Sequence, residues 1–159
     1  TGNTWTIAIA ITKKPESRGV IFAQLPTSET QHGGQNNHSI QWNGEFSGDE
    51  YYPPDGGWST GGYLSIPAES TLIVRRNGTG ANSLSVFLNG GLVYQTQYTE
   101  TYGGAAVAKI RVGQINRYSG YSEQTPLYMG IAAVAAWSSF VSDTQIRKYV
   151  NYQSLTTKA

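Results

Sequence analysis

The chain has 159 residues, enough for a sizeable core, yet only 13% of them are charged, against a usual share of about 25%. Its formal net charge of +1 offers no basic face for nucleic acid or an anionic membrane, and the lack of cysteine excludes disulfides and thiolate metal sites. Plentiful Trp, Tyr and β-branched residues argue against disorder. The longest apolar run, 129–137, is Ala-rich and too short to cross a bilayer, so no membrane insertion is expected.

In chain order, Trp5, Ile7, Ile9 and Ile11 alternate with Thr4, Thr6, Ala8 and Ala10, the period of a strand with its large side chains inward. Residues 13–18 contain Pro15 and read as a turn, 19–25 as a more continuously apolar strand, and 26–37 as a polar loop. Residues 38–43 alternate again, with Ile40 and Trp42 on one side, whereas 44–62 is the least regular stretch. Strands follow at 63–66 and 71–76, separated by 67–70, and 77–82 is a turn. The strongest hairpin joins 83–88 to 92–98, because Asn89-Gly90 supplies the positive φ values of a type I′ turn. Strands at 109–114 and 127–137 bring the total to about eight to ten.

The apolar run ends at Trp137 and gives way to a short helix. Ser142 and Gln145 have capping-box spacing, Val141 and Ile146 stand at the staple positions, and Ile146, Tyr149 and Val150 share one face. These elements predict an all-β antiparallel sandwich or jelly roll with one short C-terminal helix. With no internal repeat and no low-complexity linker, residues 1–159 read as a single domain.

The succession "TWTIAIAI", "RGVIFAQ", "YLSIPAESTLIVRR", "LSVFLNGGLVYQTQ", "KIRVGQ" and "LYMGIAAVAAWSSFVSDTQIRKYV" resembles the laminin-G-like, concanavalin A-like lectin/glucanase superfamily. Asn89 and Gly90 match its strand-and-turn motif. Gly130, Ile131, Val134, Trp137, Ser142, Gln145 and Ile146 match its ending. The resemblance implies a jelly-roll sandwich that recognises carbohydrate. Members usually carry a further strand or two before the "TWTIAIAI" position, so either upstream sequence or a minimal sandwich is expected.

Glucanases of that superfamily use carboxylates alternating on one strand, since one carboxyl must protonate the leaving oxygen while another attacks or activates water. Glu45, Asp49 and Glu50 have the wrong spacing, and Gly48 interrupts any strand there. The expectation is therefore a non-catalytic protein. His32 and His38 read as solvated polar residues rather than a metal pair. Asp49, Glu50 and Asp55 are the candidate calcium ligands, set against the simpler reading of acids on a solvated loop.

Aromatic residues are the better lead. Trp42, Tyr51, Tyr52 and Trp58 bracket the irregular stretch, with Asp55 among them, and a second segment offers Asn116, Arg117, Tyr118 and Tyr121. A sugar packs a flat C–H face on an aromatic ring while its hydroxyls bond carboxylates, amides and guanidinium groups. Both segments read as binding loops on a rigid scaffold. Trp42 fits a core position equally well, Trp5 and Trp137 fit the core better, and Arg75 and Arg76 read as a solvated strand end.

The function expected is a recognition module for carbohydrate on a cell surface, working outside the cell or on a virion. The Gly/Ser/Thr/Asn/Tyr-rich composition resembles phage tail-fibre and receptor-binding domains, which are commonly trimeric, so host attachment by a homotrimer is the specific form. A glycoside hydrolase or polysaccharide lyase of the same fold is one alternative. A structural, oligomerising domain that binds protein is the other.

Overall fold

The computed structural model describes residues 4–16, 19–26, 39–42, 46–48, 58–61, 65–98, 107–112 and 128–148. The chain packs into two compact units, each assembled from separated stretches of sequence. Among the described residues, no helix is long and apolar enough to cross a membrane.

The first unit comprises Thr1–Lys14, Ile66–Thr101 and Gly130–Ala159. Its strands are β1 (Thr4–Lys13), β6 (Ser70–Asn77), β7 (Leu84–Leu88), β8 (Gly91–Thr96) and β10 (Gly130–Trp137). They form an antiparallel sheet in the order β10-β1-β6-β7-β8. One face carries Ile7, Ile9 and Ile11 of β1 beside Leu72 and Val74 of β6, all buried, as the alternation predicts. The other face is buried as well: Thr6 and Ala8 are 0% exposed and Ala10 5%.

The cover on that second face comes from the C-terminal segment. Ile146, Val141 and Trp137 pack on Ala8, Ile73 and Phe87, three residues that pair side by side across β1, β6 and β7. Small side chains on β1 leave room for the larger ones laid over them. Trp5 and Trp137 are half-buried rather than enclosed.

The covering segment is pinned by polar contacts. The Thr6 hydroxyl donates to the Ser139 carbonyl (3.0 Å) and accepts from the Val141 amide (3.0 Å). Helix α1 (residues 143–148) starts on the expected capping box. The Gln145 amide donates to Ser142 Oγ (3.3 Å), and the Ser142 amide donates to Gln145 Oε1 (2.9 Å).

Arg75 and Arg76 overturn the expectation of a solvated strand end, because both are buried. Arg76 donates to the carbonyls of Gly78 (3.0 Å) and Tyr98 (3.3 Å) and lies over the Tyr98 ring. Arg75 points to the other face and meets the C-terminal segment. In the hairpin, Asn89 and Gly90 have φ of 52° and 80°, as a type I′ turn requires. Asn89 also clasps β6: its Oδ1 accepts from the Thr71 amide (2.8 Å), and its own amide donates to the Thr71 carbonyl (2.9 Å).

The second unit comprises Pro15–Ser65 and Tyr102–Met129. Its antiparallel sheet has the order β5-β4-β3-β2-β9, from β2 (Gly19–Pro26), β3 (Ser39–Trp42), β4 (Phe46–Gly48), β5 (Trp58–Ser59) and β9 (Val107–Val112). Ile21, Phe22, Ile40 and Phe46 are its buried apolar residues. The stretch expected to lack regular structure thus contains two strands. Thr60 secures them, its amide donating to the Phe46 carbonyl (2.9 Å) and its hydroxyl accepting from the Phe46 amide (3.2 Å).

Two strand expectations are corrected. Of residues 63–66, Ser65 and Ile66 lie outside any strand, and Ile66 is apolar because it is buried before Pro67. The last strand begins at Gly130 rather than 127. Tyr128 lies outside it, its carbonyl accepting from the Glu16 amide (2.9 Å).

Thr6→Val keeps the buried shape but strips two backbone groups of their partner. It should cost about 2–3 kcal/mol, since an unsatisfied buried donor or acceptor costs roughly 1–3 kcal/mol; urea unfolding should show a lower midpoint at unchanged slope. Asn89→Ala should cost about 1–2 kcal/mol in the same measurement, because alanine pays for the left-handed backbone as well as the lost acceptor. Asn89→Gly, which removes only the acceptor, should cost less.

Candidate functional site

Of the aromatic residues singled out in the sequence, Trp42 is placed with its side chain. It closes β3 opposite Phe46 of β4, and the two rings meet edge-on with centroids 5.0 Å apart and planes at 63°. Trp42 is half-buried beside a fully buried Phe46. One side of its ring system therefore serves packing, and the remainder borders solvent.

Trp58 opens β5, the edge strand of the same sheet, and its backbone pairs with Gly48. Tyr51, Tyr52, Asp55, Asn116, Arg117, Tyr118 and Tyr121 lie outside the described residues, as do Asp49, Glu50, Glu45, His32 and His38. Among the described residues, no three His, Cys, Asp or Glu side chains gather as metal ligands would. The proposed calcium ligands fall beyond that comparison.

Strand directions still sort the segments by their anchors. β2 and β4 both run antiparallel to β3 and so run the same way. The chain therefore leaves Pro26 and Gly48 in one direction, entering residues 27–38 and 49–57. β9 runs antiparallel to β2 and leaves Val112 in the opposite direction, entering the segment with Asn116, Arg117, Tyr118 and Tyr121. Gly48, which ends β4 before residues 49–57, and Val112, which ends β9 before residues 113–127, therefore lie at opposite ends of the sheet. Pro26, which ends β2, lies at the same end as Gly48.

A second grouping, in the first unit, was not anticipated. Arg75 lies between two phenylalanine rings, 4.6 Å from the Phe87 centroid and 4.5 Å from that of Phe140. Its Nη1 donates to the Val141 carbonyl (3.0 Å), and its Nη2 pairs with Asp143 Oδ1 (2.5 Å). The available signal was an arginine in a run of buried strand residues, "LIVRR", where a strand end would otherwise be polar on one face only.

No protein-family model matches the sequence, and no curated protein matches it. Solved structures match by shape. A proposed carbohydrate binding protein from Bacteroides ovatus superposes with a TM-score of 0.66 over 93% of this chain and 41% of its own, at 9% identity. Domain 4 of AbnA, a GH43 extracellular arabinanase from Geobacillus stearothermophilus solved in complex with arabinotriose, gives 0.65 over 94% of this chain and 68% of its own, at 13% identity. The heptameric SAP-like pentraxin from Limulus polyphemus gives 0.66 over 94% and 70%, also at 13%. The fold is an antiparallel jelly roll, with one short helix among the described residues. At such identities the jelly-roll likeness establishes architecture alone, and the chain spans less than half the length of the Bacteroides protein.

Trp42→Phe should keep the edge-on contact and cost under about 1 kcal/mol, whereas Trp42→Ala should cost about 2 kcal/mol, roughly half the value for a fully buried ring. Thermal unfolding of both variants measures the structural share of Trp42, against which any change in ligand binding is read.

Proposed function

We propose that the chain is a non-catalytic carbohydrate-recognition module, acting as one domain over residues 1–159. The observation that carries this reading is the likeness, across 94% of the chain, to an arabinanase domain solved with arabinotriose in place. The Bacteroides and Limulus likenesses support it, as does the lack of acids spaced for glycoside hydrolysis in the sequence.

The contact residues in this proposal are Trp58 at the sheet edge, with Tyr51, Tyr52 and Asp55 from 49–57 and the open side of Trp42. Asn116, Arg117, Tyr118 and Tyr121 form a separate set, because β9, which precedes them, runs opposite to β4. Calcium at Asp49, Glu50 and Asp55 is an optional part of the first set. The narrower form is attachment to a cell-surface glycan from outside the cell, by several copies at once. A heptameric neighbour supports multiplicity in general; a viral tail and a trimer are specific versions of it, and none of these three neighbours is viral.

A glycan array probed with the wild-type chain and with Trp58→Ala tests the reading. A specific wild-type signal that falls about tenfold or more in the variant, the size of one lost stacking contact, is the expected result. A chelator arm reports on calcium. No wild-type signal would overturn the reading in favour of an assembly role, and release of sugar from polysaccharide would overturn its non-catalytic part.

A further inference from the structure

We infer that Phe140 is a second sugar-stacking platform, in the first unit, with Asp143 beside it to receive sugar hydroxyls. The ligand class rests on the carbohydrate reading above, but the residues are different ones. Phe140 is 39% exposed in a segment that is otherwise firmly held. The carbonyl before it and the amide after it both bond the Thr6 hydroxyl, and the next carbonyl accepts from Arg75.

The ring itself is fixed from one side by the Arg75 guanidinium, 4.5 Å from its centroid. Arg75 cannot easily swing away, because Phe87 backs it at 4.6 Å and Asp143 holds its Nη2. The exposure of Phe140 is thus left to the side away from Arg75. A ring already locked in one orientation loses little conformational entropy when a flat C–H face settles on it.

The surroundings favour a sugar over an apolar partner. Ser138, Ser139, Asp143 and Thr144 are exposed, and the Asp143 side chain is 62% exposed even while it pairs with Arg75. An apolar partner needs a continuous apolar patch. One exposed aromatic side chain in a run of exposed hydroxyls and a carboxylate matches a saccharide, which is apolar on one side and polar round its rim.

Titrations of the full chain with arabinotriose, and with whichever array glycan gives the strongest wild-type signal, test this. Phe140→Leu keeps an apolar cover over Arg75 but removes the flat ring, and should weaken binding about tenfold, the size of one stacking contact. Phe140→Tyr keeps the ring and should stay within about twofold of wild type, both changes being read at a temperature where thermal unfolding shows each variant folded. A wild-type chain that binds while Phe140→Leu binds equally well overturns the platform and leaves the carbohydrate reading standing. Equal losses in the Leu and Tyr variants also overturn it, since packing rather than stacking would then be at fault. Should Phe140→Leu fail to fold, the Phe140 ring resonances of the wild type decide: no shift on adding a bound sugar sinks the platform. Failure of the wild type to bind any glycan removes both readings.

Discussion

The closure of the second face of the β10-β1-β6-β7-β8 sheet depends on a buried guanidinium. Moving a charge out of water costs several kcal/mol unless it is paired and hydrogen-bonded. Arg75 meets most of that requirement with the Val141 carbonyl, the Asp143 carboxylate and two aromatic faces, although its buried Nε has no hydrogen-bond partner. Because Asp143 is largely exposed, its attraction is screened and contributes little to stability. The desolvated contacts to Val141, Phe87 and Phe140 therefore matter more. Those to Val141 and Phe140 form only when the C-terminal segment lies on the sheet, so Arg75 favours the docked segment.

The rest of the first unit follows from having that cover. Ala8 and Ala10 are small on the covered side, and a larger residue at Ala8 would push against Ile146 or Trp137. Thr6 is the polar member of the same row, and its single hydroxyl serves one donor and one acceptor of the incoming backbone. The capping box then starts α1 at the point where Val141 and Ile146 both reach the apolar cluster. At the opposite edge, Ser83 plays a comparable part. Its hydroxyl accepts from the Tyr98 amide and donates to the Tyr98 carbonyl, closing the end of β8 over Arg76.

Where local chemistry suffices, the sequence is legible. The alternation of β1, the Asn89-Gly90 turn and the Ser142/Gln145 cap each need only neighbouring residues, and each is found as read. β4 and β5 are too short to show a period, and their pairing depends on Thr60 reaching back to Phe46. The burial of Arg75 depends on Phe140 and Asp143, which lie far along the chain, so two adjacent arginines look solvated until the topology is known. The candidate site is legible in part. Residue types suited to sugar can be picked out, and Trp58 does fall on an edge strand. Which segments leave the sheet in the same direction cannot be read locally, because it follows from a strand order that inserts β9 beside β2.

That directional split bears on how such a module would bind. A single ring stacked on a single sugar gives weak affinity, since stacking beyond simple burial is worth only about 0.5–1.5 kcal/mol. Strong attachment then comes from repetition: a second contact on a linked surface acts at millimolar effective concentration, and overall avidity rises by orders of magnitude without any better individual site. On the proposed reading, a chain that offers several rings, with a fixed Phe140 among them, would suit a polymer with many equivalent residues better than one small sugar held in a deep pocket. On the proposed reading, recognition alone would call for no catalytic acids. Holding a polymer through several shallow contacts needs exposed, rigid rings, whereas cleaving it needs two carboxyls converging on one bond.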